Sequence, residues 1–360
     1  MKISVLGCGR WGSFQAWYAA RCGHDVMVWG RAGVADIEEL MRTRTNAYLT
    51  LPDSVRLTTD LDEAVEHSDF IIISISSQAL RELAARLDEY DLSGKSFLLC
   101  MKGLEQDTGK RLSVVMRECI EQPVGIAVLA GPGHVQSYTA GIPGAQVVDS
   151  EDPDLIRYIV DVLGSDLIRL YIGTDLIGTE IGAAAKNVIG LAAGMLDGFG
   201  YESLKGPLMA RGAREVARLI SAMGGNELSA YGLCHLGDYE ATLFSKFSNN
   251  RAFGERFVRG EPFDNLAEGV YTVKAMVTLG ARRGASHLPR PAAHRPRRRR
   301  PQAGAHHAVP AFGQTRVWQL ISAVFQGPFW EKGAFFLCPA PPSPAGSLQN
   351  ACPFPKRAHP

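Results

Sequence analysis

The feature that most constrains the fold is a glycine-rich turn at the start of the chain. Residues 5–13 read VLGCGRWGS, which gives Gly7, Gly9 and Gly12 the spacing GxGxxG between a predicted strand and a predicted helix. The first glycine permits a tight turn, the second lets the backbone approach a pyrophosphate, and the third lets helix and strand pack closely. The pattern therefore predicts a dinucleotide site, with an ordinary glycine turn as the alternative.

Hydrophobic patterning divides the chain into parts of different character. Short apolar strands alternate with helices in the first part, as in parallel βαβ units. The predicted strands cover residues 1–6, 25–29, 56–58, 70–76, 96–101, 126–130 and 168–171. The pattern then becomes helical, with helices near residues 174–197, 207–223 and 268–283.

We therefore predict an α/β protein in which an N-terminal Rossmann-type, doubly wound sheet is followed by an all-helical domain and an irregular C-terminal tail. The dinucleotide-binding domain is expected over residues 1–172, and a helical substrate domain over residues 173–285. The Pro/Arg-rich tail is expected over residues 286–360.

The tail differs in composition from the rest of the chain. Residues 286–360 hold ten Lys or Arg residues but one acidic residue, Glu331, and 13 of the 20 prolines. A stretch such as HLPRPAAHRPRRRRPQAG has neither helical nor strand periodicity, so it is unsuited to a packed core. An arginine-rich arm binds nucleic acid by neutralising phosphates. The mixture of Arg, Pro, Ala, Gly and His is also what GC-rich coding DNA gives in a shifted reading frame. We favour a frame-shifted or disordered tail and expect no nucleic-acid partner.

Composition favours a soluble cytoplasmic protein. No uninterrupted apolar run is long enough to span a bilayer, and the N-terminus has no secretory pattern. The seven cysteines show no CxxC spacing, which suits free thiols in a reducing compartment. No group of His, Cys and Asp has metal-ligand spacing, so we expect no metal site.

The end of the second predicted strand bears on cofactor choice. An acidic residue there would bind the ribose hydroxyls of NAD, but the chain reads Trp29-Gly30-Arg31. Arg31 is placed to accept a 2′-phosphate, so NADP as well as NAD is an expected cofactor. The alternative is a solvated surface arginine.

Several segments, taken in order, resemble the bacterial NAD(P)-dependent sn-glycerol-3-phosphate dehydrogenases over residues 1 to about 285. They are GCGRWGS near the start, CMKG around Lys102, AGPGHV at 130–135, EIGAAAKN at 180–187, GLCHLGD at 232–238, FSNNRAFGE at 247–255 and AEGVYT at 267–272. The resemblance implies reversible reduction of dihydroxyacetone phosphate to sn-glycerol 3-phosphate by NAD(P)H. That product is a precursor of glycerophospholipids.

Lys186 is the candidate acid and base for this chemistry. It stands alone among apolar and small residues of a predicted helix, where burial would lower its pKa toward neutrality. From the residues alone, a lysine whose ammonium reaches solvent at the helix edge is an equal alternative. The resemblance, carried here by Lys186-Asn187, implies the catalytic role.

The resemblance implies further site residues. The expected substrate-binding residues are Lys102, Gly131, Lys186, Asp238, Ser248, Asn249 and Asn250. The expected cofactor-binding residues are Gly7, Gly9, Arg10, Trp11, Gly12, Arg31, Lys102, Val135 and Glu268. Several of these residues have a purely structural alternative: Lys102 as a solvated lysine at a strand end, and Asp238 or Glu268 as a helix cap. For Ser248 and Asn250 the alternative is a polar turn.

The chain departs from the family pattern at three site positions. Asn249 stands where the family has an arginine that reaches the substrate phosphate and the cofactor, and either Arg251 or Arg256 is a candidate replacement. Gly133 stands where the family has a serine, and His134 is a candidate donor in its place. Arg10 stands where a small serine is common.

A fourth departure is the abrupt end of the resemblance near Gly284, inside an expected helical core. Two alternative functions follow from the departures: a related Rossmann dehydrogenase acting on another small phosphorylated or carboxylated carbonyl compound, and an inactive NADP-binding relative. A homodimer is compatible with the sequence, which fixes no oligomeric state.

Overall fold

The computed structural model describes residues 1–285, and side chains up to residue 279. The expectations for the tail, residues 286–360, fall outside the described residues. Eight strands of the described part form one sheet in the order β3-β2-β1-β4-β5-β6-β7-β8. They are β1 (Lys2–Leu6), β2 (Asp25–Trp29), β3 (Arg56–Thr58), β4 (Phe70–Ile73), β5 (Ser96–Leu99), β6 (Gly125–Ala130), β7 (Gly144–Ser150) and β8 (Ile168–Ile172).

Eleven α-helices accompany the sheet within the described residues. They are α1 (Arg10–Arg21), α2 (Ala35–Thr43), α3 (Leu61–His67), α4 (Leu80–Leu87), α5 (Leu112–Cys119), α6 (Val135–Thr139), α7 (Pro153–Leu163), α8 (Leu176–Gly198), α9 (Lys205–Ala222), α10 (Asn249–Arg259) and α11 (Glu268–Ala285).

The predicted fold class is confirmed, because helices cover both faces of a mostly parallel sheet and a helical region follows it. Alternate residues of β4 show the two faces: Ile72 packs in the cluster that includes α1 and α7, whereas Ile71 and Ile73 pack in the cluster that includes α3, α4 and α5. Strands buried on both faces read as continuous apolar runs, which is why most of them are visible in the sequence.

The sequence prediction missed β7 and the reversal that it introduces. This strand pairs antiparallel with β6 and parallel with β8, whereas the other neighbouring pairs are parallel. Its sequence, GAQVVDS, buries Gln146 and Asp149 and therefore lacks an apolar run. The sheet ends at Ile172 and α8 begins at Leu176, beside the expected boundary, and the division into two domains stays a prediction.

Helix α8 is the centre of the helical region. Twenty of its 23 residues are buried, consistent with its small-residue composition. It meets α10 backbone to backbone: a Cβ atom on Gly194 would lie 1.9 Å from the carbonyl oxygen of Arg251, and one on Gly254 would lie 2.1 Å from that of Leu191. The two helices can therefore cross here only because both positions lack a side chain.

A pair of glycine substitutions tests this crossing. Gly194→Ala forces the two backbones apart and is expected to destabilise the fold by about 1–3 kcal/mol, as overpacking does. Gly206→Ala is the control, because nothing lies within 4 Å of a Cβ atom at that helical position. Alanine's higher helix propensity should stabilise the control by up to about 1 kcal/mol. Chemical denaturation measures both, and equal effects would contradict the close crossing.

Candidate active site

The glycine-rich turn lies where the strand order of the sheet reverses, between β1 and β4. Gly7 has φ +118°, and a Cβ atom there would lie 2.1 Å from the carbonyl oxygen of Ser74, which follows β4. A Cβ atom on Gly12 would lie 2.0 Å from the carbonyl oxygen of Gly7. These two glycines are required by the packing of the protein itself. Ligands of doubly wound sheets bind at this reversal, beyond the carboxyl ends of the strands.

Gly9 is different, because no contact within the protein requires a glycine. A Cβ atom there would find no atom nearer than the Asp36 carboxylate, at 3.8 Å, and the φ of −70° suits any residue. The bare backbone instead leaves room at the N-terminus of α1, where unpaired amides attract phosphate. The turn therefore fits a dinucleotide pyrophosphate. Asp36, from the first turn of α2, was not predicted to lie here.

Arg31 lies two residues after the end of β2 and is exposed, so its guanidinium is accessible at the carboxyl ends of the strands. This position suits the predicted contact with a 2′-phosphate, which stays a prediction. The neighbouring Trp29 is fixed by a hydrogen bond of 3.1 Å from its indole nitrogen to the carbonyl oxygen of Thr59.

The carboxyl ends of the strands face the helical region, and we call the space between them the cleft. Two lysines and one aspartate form its charged centre. Asp238 Oδ2 accepts a hydrogen bond of 2.9 Å from Lys102 Nζ and pairs with Lys186 Nζ. Lys102, which follows β5, also donates to the carbonyl oxygen of Gly131 at 2.5 Å. Lys186, from the middle of α8, also donates to Thr242 Oγ1 at 3.1 Å. The fold thus brings together four predicted site residues and adds Thr242, which no sequence motif indicated.

Burial and charge act in opposite directions on Lys186. The residue is 8% exposed, and burial lowers the pKa of its ammonium to about 8. The Asp238 carboxylate opposes this shift by stabilising the charged form, while the nearby ammonium of Lys102 adds to it. The result is a lysine that is mostly protonated at neutral pH and able to release its proton.

His235, which the sequence analysis did not select, lies beneath this centre. It is fully buried between the carbonyl oxygen of Gly182, 2.8 Å from Nδ1, and the Tyr239 hydroxyl, 2.7 Å from Nε2. Burial lowers the pKa of the imidazole to about 4, so the ring is neutral. A neutral ring donates from Nδ1 and accepts from the tyrosine. It therefore fixes the segment that carries Asp238 against α8.

Asn250 reaches the centre through a chain of amides. Asn187 donates to the carbonyl oxygen of Lys102 at 2.7 Å, and Asn250 donates to Asn187 Oδ1 at 2.9 Å. Asn250 Oδ1 in turn accepts from the amide of Gly269 at 2.9 Å. This chain of hydrogen bonds connects the end of β5 with α8, α10 and α11. Asn250 therefore holds the backbone of Lys102 in place through Asn187 and does not contact the two lysine ammonium groups.

Ser248 and Asn249 lie at the start of α10, which the sequence analysis did not predict as a helix. Ser248 is the N-cap, and its hydroxyl accepts from the amide of Arg251 at 3.3 Å. Asn249 donates to the carbonyl oxygen of Leu266 at 3.2 Å. Neither side chain contacts the two lysines. Their helix N-terminus nevertheless offers amides suited to an anion.

The remaining predicted cofactor residues lie around the turn. The Glu268 carboxylate accepts hydrogen bonds from the Ser77 amide at 3.2 Å and from the hydroxyls of Ser76 and Ser77. Burial raises the pKa of this carboxyl group. The Trp11 ring lies 5.5 Å from Lys102 Nζ, in cation–π geometry. Val135 is buried at the start of α6.

Arg10 extends from the turn across the cleft. Its guanidinium donates to the carbonyl oxygen of Phe247 at 3.1 Å and to Gln136 Oε1 at 2.9 Å. The ring of His134 packs edge-on against that of Phe247, with the ring centroids 5.6 Å apart. Burial, and then the charge of Arg10, lower the pKa of His134, so its imidazole is neutral.

Arg251 and Arg256, the expected replacements for an arginine at position 249, are engaged elsewhere. Arg251 pairs with Asp197 at 2.7 Å and Glu255 at 2.9 Å, near the C-terminal end of α8. Arg256 is exposed and donates to the carbonyl oxygen of Pro262 at 3.2 Å. In this structure neither guanidinium points to the lysine centre.

The described part of the chain contains neither a membrane-spanning helix nor a cluster of metal-ligating residues. No helix among residues 1–285 combines the length and the apolar character that crossing a membrane requires. In the same part of the chain, no three His, Cys, Asp or Glu residues are grouped closely enough to hold a metal ion.

Comparisons with known proteins agree with this geometry. Residues 2–156 match the family model for the NAD-dependent glycerol-3-phosphate dehydrogenase N-terminus, and residues 175–290 match that for the C-terminus. The glycerol-3-phosphate dehydrogenase (NAD(P)+) of Prosthecochloris aestuarii is 37% identical over 299 residues, which cover 79% of this chain and 90% of the relative. That of Thermoanaerobacter sp. is 37% identical over 292 residues, covering 78% and 87%.

A solved structure resembles the fold as well. The crystal structure of glycerol-3-phosphate dehydrogenase from Coxiella burnetii aligns with a TM-score of 0.73 and 26% identity, covering 79% of this chain and 90% of that one. Because both family models and these relatives span the sheet and the helical region together, the chain belongs to the NAD-dependent glycerol-3-phosphate dehydrogenase family.

Proposed function

We propose that this protein reduces dihydroxyacetone phosphate to sn-glycerol 3-phosphate with NAD(P)H, and that Lys186 exchanges the proton at the reacting oxygen. As a member of its family, the protein is an NAD(P)-dependent oxidoreductase. The observation that carries the assignment of Lys186 is its buried ammonium, held with that of Lys102 on one oxygen of Asp238.

The cofactor, when bound, supplies the hydride for reduction and accepts it in the reverse direction. Gly7, Gly9 and Gly12 would shape the turn that receives its pyrophosphate, and the amides of α1 would bind the phosphate oxygens. Arg31 would bind the 2′-phosphate of NADP. Trp11, Val135 and Glu268 would complete this side of the cleft, as the family resemblance implies.

The proton transfer follows from the position and charge of Lys186. As the ketone carbon gains a hydride, its oxygen becomes negative and takes a proton from the Lys186 ammonium. In the reverse direction the neutral amine accepts the proton of the hydroxyl group. The Lys102 ammonium stabilises the developing oxyanion, while Asp238 keeps both ammonium groups directed into the cleft.

The substrate phosphate would lie at the start of α10. Ser248 and Asn249 present the helix N-terminus there, and the surplus of positive charge on the two lysines over the single Asp238 favours an anion. Gly131 contributes its carbonyl oxygen, which orients Lys102. A panel of phosphorylated and carboxylated carbonyl compounds assayed with NADPH separates this substrate from the alternative ones, which the relatives do not favour.

The cellular assignments extend this proposal. We propose a cytoplasmic enzyme that supplies glycerol 3-phosphate for glycerophospholipid synthesis. A homodimer and the absence of a nucleic-acid partner stay predictions. Size-exclusion chromatography with light scattering tests the former, and binding of mixed DNA at low and high salt tests the latter.

Lys186→Met tests the catalytic assignment. Removal of the ammonium is expected to lower kcat for dihydroxyacetone phosphate reduction by about 10²–10⁴-fold, the usual contribution of a positioned acid. Lys95→Met is the matched control, because Lys95 is equally buried at 8% exposure and also pairs with an aspartate, Asp69. It directly precedes β5, so it lies at the amino ends of the strands and away from the site. Equal losses of kcat per folded molecule in the two variants would contradict the assignment.

The pH dependence of the initial rates tests the direction of proton transfer. Reduction needs protonated Lys186, so its kcat/KM should fall above about pH 8, while that of glycerol 3-phosphate oxidation should rise through the same pH. Because the Asp238 carboxylate raises the pKa of Lys186, Asp238→Asn should move the pH at which each rate changes to a lower value. If these two pH values stay in place, a group other than Lys186 titrates.

Gly9→Ala tests the cofactor turn separately from the fold. The new methyl group meets no protein atom closer than 3.8 Å, so the melting temperature without ligand should change little. It would occupy space beside the pyrophosphate, and the Kd for NADPH, followed by fluorescence, should rise by about tenfold or more, or at least 1.4 kcal/mol. The control is Gly206→Ala, for which an unchanged Kd is expected. Unchanged NADPH affinity in Gly9→Ala would place the cofactor elsewhere.

A further inference from the structure

We propose that Arg10 is a phosphate-binding residue whose guanidinium supplies the anion contact that Asn249 cannot make. This inference rests on the proposed function and assigns a specific group to the recognition of phosphate. The phosphate is that of the substrate or of the cofactor, since both would lie within reach of a side chain that begins in the glycine-rich turn.

The course of the Arg10 side chain supports this assignment. Arg10 is the first residue of α1, so its backbone lies beside the predicted pyrophosphate site. Its guanidinium reaches the carbonyl oxygen of Phe247, directly before Ser248, the N-cap of α10. Arg10 therefore extends from the cofactor turn to the helix N-terminus proposed to receive the substrate phosphate.

The hydrogen bonds of Arg10 leave part of its guanidinium without a partner. Nε is buried and has no hydrogen-bond partner, and the two bonds that the group makes go to the neutral oxygens of Phe247 and Gln136. Among the described side chains it forms no ion pair with a carboxylate. The ring of Tyr48 lies 5.4 Å from the guanidinium carbon and supports one face. A part-buried guanidinium with an unsatisfied donor is prepared for an anionic ligand, because such a donor is costly to leave unbonded.

The surrounding charges favour the same ligand. Lys102, Lys186 and Arg10 place three cations around the cleft, and Asp238 is the carboxylate that pairs with the two lysines. His134 adds no charge, but its Nε2 is also buried without a partner. Two unsatisfied nitrogens and three cations in one cleft fit a phosphate group, whose oxygens accept several hydrogen bonds.

The other arginines of this region do not compete for this role. Arg251 is held by the carboxylates of Asp197 and Glu255, and Arg256 is exposed on α10. Substitution of Arg10 therefore removes a guanidinium that the described side chains do not replace, and Arg256→Ser provides a control for the loss of one positive charge nearby.

The test compares the wild-type chain with Arg10→Ser, Arg256→Ser and the double variant Arg10→Ser/Asn249→Arg. Steady-state kinetics with dihydroxyacetone phosphate and with unphosphorylated dihydroxyacetone give one measurement, and calorimetric Kd values for NADPH and inorganic phosphate give a second. Loss of a charge-assisted bidentate contact is expected to weaken the affected phosphate interaction by about tenfold or more.

If Arg10 binds the substrate phosphate, Arg10→Ser raises KM for dihydroxyacetone phosphate while kcat/KM for dihydroxyacetone and the Kd for NADPH stay unchanged. If it binds a cofactor phosphate, the Kd for NADPH rises instead. In the substrate case, Asn249→Arg restores much of the loss by returning a guanidinium to the same helix N-terminus. Arg256→Ser behaves as wild type in either case.

Parallel losses on the phosphorylated and unphosphorylated substrates with unchanged ligand Kd values, or no change at all, would overturn the proposal. Arg10→Lys keeps the charge and the stem, and it replaces Arg10→Ser if the latter melts below the assay temperature. A wild-type protein inactive on dihydroxyacetone phosphate would refute the proposed function alone. The Arg10 inference would then be decided by the Kd values, and equal binding of inorganic phosphate and NADPH to wild type and variant would refute it.

Discussion

The site depends on one buried carboxylate oxygen that holds two ammonium groups. Asp238 Oδ2 binds Lys102 and Lys186 together, and each of the three side chains comes from a different part of the chain. Asp238 opposes the effect of burial on Lys186, because burial lowers the pKa of the ammonium and the carboxylate raises it. The same arrangement leaves a net positive charge, which the protein can balance by binding an anion.

The surrounding fold keeps this ion cluster in place. Helix α8 carries Lys186 through the densest part of the helical region, and the glycine contacts between α8 and α10 fix the helix that presents Ser248. Asn187 and Asn250 connect the backbone beside Lys102 to α10, while His235 fastens the segment of Asp238 to α8. The small residues of α8 therefore allow close packing against α10 and at the same time fix the position of Lys186.

The parts predicted correctly from the sequence have local signals. The turn at Gly7 follows an apolar strand and opens a helix, and Lys186 is conspicuous as a charged residue in a small-residue helix. Strand β7 was missed because its buried Gln146 and Asp149 look like loop residues. Helix α10 was missed because its first residues are polar and also suit a turn, whereas in the structure the Ser248 hydroxyl caps the helix by accepting from the amide of Arg251.

Long-range contacts explain why other parts of the site were not predictable. Arg10 meets Phe247 across 237 residues of chain, and Lys186 meets Thr242 across 56. The most direct test of the account is a crystal structure with NADP+ and sn-glycerol 3-phosphate bound. We expect the C2 hydroxyl oxygen to lie within hydrogen-bond reach of Lys186 Nζ, at about 3 Å. A hydroxyl oxygen bound instead by another side chain, with Lys186 still turned to Asp238 and Thr242, would contradict it.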